Sequence, residues 1–233
     1  MITRENIKAA DQEQLDQIYA RLTAGSVPDG EYAIDLFRPE DVGPLARMAR
    51  LIAGERVELL KGLALLLSLS DGDGGDLIRL IWQRKVFTRE PRVALTHIGD
   101  VERLAALVPR RPGQSQASRH PSGPGPAALL FPAKVYCGQS LLDGRRESII
   151  VDYLFSQDLP ETYNKDFVWI MGADGLAVRD EIRMVRPGFY LGRAYLGRIF
   201  AVNFLLYREP GSDTEGGRRE DCEIGSQRAA AAR

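Results

Sequence analysis

The chain has 233 residues, of which 44% are hydrophobic and 27% are charged, and its formal net charge is −1. This composition is ordinary for a globular protein, and the length allows one large β domain or two small domains. Because the charge is balanced, no global electrostatic field attracts nucleic acid or an anionic membrane, and we expect neither as a partner.

Of the two cysteines, Cys137 lies in a predicted strand and Cys222 in a polar tail. We expect no structural disulfide between such positions, which favours a reducing, cytoplasmic location. The N-terminus also lacks the apolar core of a signal peptide. The most apolar run, residues 57–70, carries two charges and is too short to span a membrane, so a buried helix is predicted there.

The first seventy residues are predicted to be mainly helical. In chain order, the patterns predict a helix over 5–22, a strand over 31–37, and helices over 39–53 and 55–69. In the first helix Ile7, Leu15, Ile18 and Leu22 form an apolar stripe, and Gly25 follows its end. These helices are expected to cover the outer face of a sheet.

The middle of the chain is read as strands, a helix and a flexible insertion. Residues 76–90 predict a strand, and residues 92–108 predict an extended piece that turns into a helix near Asp100. Residues 109–126 are rich in Pro, Gly, Ser and Arg, and we interpret them as a flexible insertion.

Strands then follow one another closely. They are predicted within 127–138, 145–155, 178–185, 188–196 and 199–207, with one more possible strand at 167–172. Residues 209–233 are predicted to be a disordered tail. We therefore predict one domain over 1–208 in the α+β class, mainly antiparallel β: a lipocalin-like β-barrel or a strongly curved sheet covered by N-terminal helices.

Three short segments resemble a bacterial family of small lipocalin-like proteins. These are Trp82-x-x-Lys85-x-Phe87, Ala133-Lys134-Val135-Tyr136 and Ile149-Ile150-Val151-Asp152-Tyr153. The family's Gly-x-Trp-x-Gly signature is absent, because Leu80 and Arg84 stand at the glycine positions. The resemblance covers about a third of the chain, and it implies a small closed barrel with no assigned reaction.

Familiar cofactor and metal sites are not indicated. The acidic run at 70–76 has Gln83 where a calcium loop would need a final acid, so a solvated turn is favoured. His97 and His120 are the two histidines, no nucleophile elbow accompanies them, and the cysteines are far apart. The dinucleotide fingerprint is also missing. We expect no metal and no cofactor.

Charged residues inside strand-like runs are the main functional signal. By alternation, Arg179, Glu181 and Arg183 share one side of their strand and are interpreted as a wet outer face. Asp152 and Asp180 instead lie among apolar residues, and Arg193 and Asn203 interrupt apolar faces. A buried carboxylate needs a partner, and the planar guanidinium of Arg193 is the natural one.

These four residues suggest a polar patch inside the barrel. The candidate ligand-binding residues are Asp152, Asp180, Arg193 and Asn203, with Tyr153, Tyr190 and Tyr195 nearby. The alternative is structural, since buried ion pairs or residues at wet strand ends would give the same pattern.

Three functional hypotheses remain open. The first is a protein that binds a small lipophilic or amphiphilic molecule in the barrel, with Arg193, Asp152 or Asn203 orienting a polar head. The second is an enzyme without a cofactor, an isomerase, cyclase or hydrolase, with Asp152 or Asp180 as acid or base and Tyr190 or Tyr195 as donor. The third is a structural or interaction module whose sheet is fully packed. The sequence does not predict an oligomeric state.

Overall fold

The protein is a closed antiparallel β-barrel. The computed structural model describes residues 2–37, 83–107, 128–172, 175–209 and Cys222. Each strand pairs with the next along the chain, and the eighth pairs with the first. The strands are β1 (Gly30–Phe37), β2 (Arg84–Thr88), β3 (Val93–Ile98), β4 (Ala128–Gln139), β5 (Glu147–Asp152), β6 (Val178–Arg186), β7 (Phe189–Leu196) and β8 (Ile199–Tyr207).

This architecture confirms the predicted fold class, and each of these strands coincides with a predicted one. Closure removes the exposed sheet edges that an open sheet of this size would present. The helices predicted over 39–53 and 55–69, and the insertion predicted over 109–126, lie outside the described residues.

Two short helices replace the single helix predicted over 5–22. They are α1 (Arg4–Lys8) and α2 (Gln12–Arg21). The break occurs at Asp11, whose carboxylate accepts a hydrogen bond from the Gln14 backbone N–H at 2.8 Å, while the Gln14 side chain accepts one from the Asp11 N–H at 3.1 Å. This capping box starts a new helix within the apolar pattern.

The helices pack on the outer surface of the barrel, as expected for N-terminal helices. Their apolar residues join a second, smaller core with residues from β1, β7 and β8. Its buried members are Ile7, Leu15, Tyr19, Phe37, Phe189, Leu191 and Leu205. The strands of this wall are therefore covered on both sides, which explains why β8 is apolar on both faces.

The barrel has two differently closed ends. We call the end where β1 begins and β8 ends the N-side end, and the opposite one the C-side end. At the N-side end the chain before β1 crosses the opening: Thr23 forms a bridge with Met184, and the Tyr190 hydroxyl donates to the Ser26 carbonyl at 2.8 Å.

A disulfide between Cys137 and Cys222 also closes the N-side end. The Cys222 backbone N–H donates to the Gly25 carbonyl at 2.9 Å, and both cysteines are buried. The expectation that no structural disulfide forms is therefore wrong. The polar composition around Cys222 gave no indication that the chain returns to the barrel there. The rest of 210–233 lies outside the described residues.

The C-side end is covered by helices and by the long β5–β6 connection. Helix α3 (Val101–Leu107) follows β3, as predicted, and the connection contains a 3-10 turn (Ser156–Asp158) and helix α4 (Val168–Met171). The strand predicted over 167–172 is wrong, because these residues form one helical turn. In so short a segment the apolar composition does not distinguish a strand from a helix.

Loss of the disulfide should destabilise the fold. A cross-link between residues 85 positions apart restricts the unfolded chain strongly, and its removal should lower the free energy of unfolding by about 2–4 kcal/mol. We expect Cys222→Ser to shift the urea midpoint downward. Reduced wild-type protein is the control and should unfold with the variant. Coincidence of the variant with oxidised wild type would contradict the assignment.

Candidate functional site

A charged cluster lies inside the barrel near its C-side end. It consists of Lys85 from β2, Tyr153 immediately after β5, and Asp180 from β6, and we call it the interior cluster. Alternation along each strand turns these side chains inward, where Phe87, Val151 and Val178 do the same. The exposed fractions are 1% for Lys85, 1% for Tyr153 and 2% for Asp180, so the cluster is sealed from bulk solvent in the described structure.

The three side chains contact one another directly. The Lys85 Nζ lies 3.0 Å from Asp180 Oδ2 and also donates a short hydrogen bond to the Tyr153 hydroxyl. That hydroxyl donates to the same carboxylate oxygen at 3.4 Å. The other carboxylate oxygen, Asp180 Oδ1, is buried and has no hydrogen-bond donor among the described residues. A buried acceptor of this kind is uncommon, because its desolvation is not compensated.

Thr96 adds a second polar group at the edge of the interior cluster. It lies on β3 directly opposite Lys85 of β2, so its side chain points into the barrel, and it is fully buried. Its Oγ1 nevertheless does not meet hydrogen-bonding geometry with any described partner. Among the described residues, the surroundings of the interior cluster therefore contain one unused hydroxyl donor, on Thr96, and one unused acceptor, Asp180 Oδ1.

The electrostatics of the cluster are those of an ion pair. Burial opposes the charge on Lys85, but Tyr153 and Asp180 outweigh it and raise the pKa of the ammonium group. Burial raises the pKa of the Asp180 carboxyl, and Lys85 opposes this shift. We interpret the pair as an ammonium ion beside an ionised carboxylate. The raised pKa of Lys85 favours this state, because a buried ammonium ion is stable beside Asp180 only while that carboxylate is ionised. Burial also raises the pKa of the Tyr153 phenol, which keeps it a neutral donor.

Asp152 does not join this cluster. In the β5–β6 pair, Val151 is opposite Asp180 and Asp152 is opposite Arg179. Directly opposed residues of an antiparallel pair point to the same side of the sheet, so the two aspartates point to opposite sides. Asp152 lies on the outer side, where its carboxylate accepts hydrogen bonds from the Tyr136 hydroxyl at 2.7 Å and from the Leu154 N–H at 2.9 Å.

Arg193 and Asn203 also lie on the outer side, beneath α2. Arg193 forms an ion pair with Asp16, and its Nε donates to the Tyr195 hydroxyl at 3.0 Å. The Asn203 amide donates to Gln12 Oε1 at 2.9 Å. The carboxylate expected to pair with Arg193 therefore comes from a helix and not from the sheet.

The predicted interior grouping is thus divided between the two sides of the barrel wall. Of the seven candidate residues, Asp180, Tyr153 and Tyr190 point inward, and Asp152, Arg193, Asn203 and Tyr195 point outward. Tyr190 belongs to the N-side end, where its hydroxyl is bonded to Ser26. Whether any of these residues binds a ligand stays a prediction.

The interpretation of Arg179, Glu181 and Arg183 as a wet outer face is wrong for two of them. Glu181 and Arg183 are both 0% exposed. Glu181 accepts from the Ser140 hydroxyl at 2.7 Å, and Arg183 donates to the Tyr19 carbonyl at 2.9 Å and stacks on the Tyr19 ring. These residues attach a loop and a helix to the barrel.

Sequence reasoning missed Lys85 and Thr96. Lys85 shares its side of β2 with Phe87, and that alternation was a usable signal that the lysine points inward. Nothing comparable marked Thr96, because β-branched polar residues are common on either side of a strand.

The described residues also form an open groove of about 380 Å³ on the outer surface between α1 and α2. It is lined by Asn6, Ala9, Ala10, Gln14, Gln17, Ile18 and Arg21. In the described ranges, none of the helices has the length and hydropathy needed to span a bilayer. The same part of the chain contains no group of three or more histidines, cysteines and acidic residues suited to a metal.

No protein-family model matches the chain, and no curated protein or solved structure does either. The resemblance to small lipocalin-like proteins therefore stays a prediction. The function proposed below depends on the contacts, burial and charges of the interior cluster.

Breaking the interior ion pair should be strongly destabilising. Lys85→Met leaves the Asp180 carboxylate buried without its cation, and we expect the free energy of unfolding to fall by about 3–5 kcal/mol. The double variant Lys85→Met/Asp180→Leu removes both charges and should recover most of this loss. Urea unfolding measures the free energy of unfolding of the single and the double variant. Lys134→Met, at an exposed lysine, is the control. A double variant no more stable than the single one would contradict a buried ion pair.

The ion pair between α2 and β7 should contribute less to the stability of the fold than the interior ion pair does. Asp16→Ala leaves the buried Arg193 guanidinium without its carboxylate, and we expect a loss of about 1.5–3 kcal/mol in urea unfolding. Glu13→Ala is the matched control on the same helix, because the Glu13 carboxylate contacts Gln17 within α2. Equal stability of the two variants would mean that the ion pair does not hold the helix.

Proposed function

We propose that the barrel binds a small amphiphilic molecule whose polar group reaches the interior cluster and whose apolar part lies against the inner wall. The observation that carries this proposal is Asp180 Oδ1, a fully buried carboxylate oxygen with no donor among the described residues. A hydrogen-bond donor at this position would remove an uncompensated desolvation penalty of about 1–3 kcal/mol.

The surroundings of the cluster support an amphiphilic ligand. Ile98, Leu130, Val151 and Val178 belong to the same buried core as Tyr153. Sites for small molecules typically combine such apolar walls with a few well-placed polar groups. A carboxylate oxygen that the described residues leave unsatisfied inside a closed barrel supports such a ligand, and the lipocalin-like resemblance is consistent with it.

A second candidate is an enzyme that needs no cofactor and uses the same cluster. Burial raises the pKa of the Asp180 carboxyl, and the Tyr153 hydroxyl donates to that carboxylate at 3.4 Å, so a carboxylate and a phenol are paired as in general acid–base sites. Tyr153 takes the donor role that the sequence suggested for Tyr190 or Tyr195. Asp152 is less suited to this role, because it faces away from the interior.

The disulfide weakens the expectation that the protein is cytoplasmic. The expectation of a cytoplasmic protein depends in part on unpaired cysteines, and the Cys137–Cys222 disulfide removes that part of the argument. Such bonds persist mainly in oxidising compartments. Cell fractionation with a thiol-trapping reagent would determine both the compartment and the state of this bond.

Native mass spectrometry of freshly purified protein tests the binding proposal. We expect a co-purified small molecule on the wild-type protein and its loss from the folded variant Lys85→Met/Asp180→Leu. Asp152→Asn, on the outer side of the wall, is the matched control and should retain it. A clean apo mass together with no binding of an apolar dye would overturn the proposal and favour a fully packed interaction module.

The enzyme hypothesis is tested by a separate measurement of turnover. Once the co-purified molecule is identified, its conversion by wild-type protein should be lost in a folded Asp180→Asn variant and kept in Asp152→Asn. Binding without conversion, or conversion that survives Asp180→Asn, would remove the enzyme from consideration.

A further inference from the structure

We infer that the polar group recognised by the interior cluster is an uncharged hydroxyl and not a carboxylate or an amine. This inference rests on the proposed function and specifies the chemical class of the ligand for the same site. It follows from the charge balance of the cluster and from the type of hydrogen-bonding capacity that is left unused.

The cluster is electrically balanced before any ligand enters. Lys85 and Asp180 are the two charged members of the interior cluster, and they neutralise each other at 3.0 Å. An incoming carboxylate would be attracted by Lys85 and repelled by Asp180 with similar strength. At an effective dielectric constant of 20, each interaction at 4 Å is about 4 kcal/mol.

Because these interactions nearly cancel, a charged head would keep most of its desolvation penalty. That penalty amounts to several kcal/mol for each ion, even after the protein relaxes. The same reasoning holds for an alkylammonium head, with the two signs exchanged. A neutral head avoids the penalty altogether.

The unused hydrogen-bonding capacity specifies which neutral head fits. Asp180 Oδ1 requires a donor, and the Thr96 hydroxyl is free to donate, in the described part of the barrel. Both groups belong to residues of the interior cluster's surroundings: the other oxygen of the same carboxylate, Asp180 Oδ2, accepts from the Tyr153 hydroxyl at 3.4 Å, and Thr96 lies directly opposite Lys85 in the β2–β3 pair. A hydroxyl is the smallest group that both donates and accepts. A ketone or an ether could not donate to the carboxylate.

Three probes that differ only in the head group test this inference. These are n-decanol, decanoate and decylammonium, titrated into the full-length protein near pH 7 by isothermal calorimetry or native mass spectrometry. We expect decanol to bind about tenfold or more tightly than either charged analogue, which corresponds to one charge-assisted hydrogen bond and a desolvation difference. Asp152→Asn should preserve this order.

Variants of the cluster sharpen the test. In Asp180→Asn the Lys85 charge is unbalanced, so the preference should change to decanoate. If that variant does not fold, Lys85→Met/Asp180→Asn removes both charges and should bind decanol without favouring decanoate. Equal binding of the three probes by wild type, or tightest binding of a charged one, overturns the inference and leaves the proposed function standing. Binding of none of them overturns the proposed function itself.

Discussion

In a closed antiparallel barrel, each strand residue points either into the interior or toward the outer surface, and the strand register determines which residues share a side. The chemistry of this protein depends on that constraint. The row formed by Asp180, Ala194 and Val202 lies inside, whereas the next row, with Glu181, Arg193 and Asn203, lies outside. A shift of one residue in a single pair would bury a different set of charges.

The two sides use their charges in different ways. On the outer side, α2 places Gln12, Asp16 and Tyr19 about one turn apart, and they contact Asn203, Arg193 and Arg183 on three successive strands. Each of these groups has a partner from the helix, so this polar row specifies how α2 docks. On the inner side, Lys85 and Asp180 neutralise each other, yet one carboxylate oxygen is left over. Arg183 Nη2 and Asn203 Oδ1 on the outer side also lack a partner among the described residues, so what distinguishes the interior cluster is its enclosure by the closed barrel.

Much of the fold could be predicted from the sequence, because it depends on local patterns. Alternation and turn residues located the strands, and the helix-forming stripe near the N-terminus was correct apart from the cap at Asp11. The strand predicted over 167–172 was wrong because a four-residue helix and a short strand have similar composition. The Cys137–Cys222 disulfide was missed because pairing between distant cysteines depends on where the chain returns.

The candidate site could be predicted only in part, for a related reason. Alternation within one strand identified Asp180 and Tyr153 as neighbours of apolar residues. It could not compare Asp152 with Asp180, because their relation depends on the register between β5 and β6. Likewise, the partner of Arg193 lies on α2, far away in sequence, and no local pattern indicates such a contact.

The pairing of β1 with β8 has a consequence for how the chain folds. Neighbouring strands can pair as they are synthesised, but the wall can close only after the last strand exists, and such long-range pairing is intrinsically slow. Until then Lys85 and Asp180 remain hydrated on a curved, open sheet, on the second and sixth strands. We therefore expect closure of the ring and removal of water from both charges to occur together and late, because the ion pair gains little stability while both charges are still hydrated.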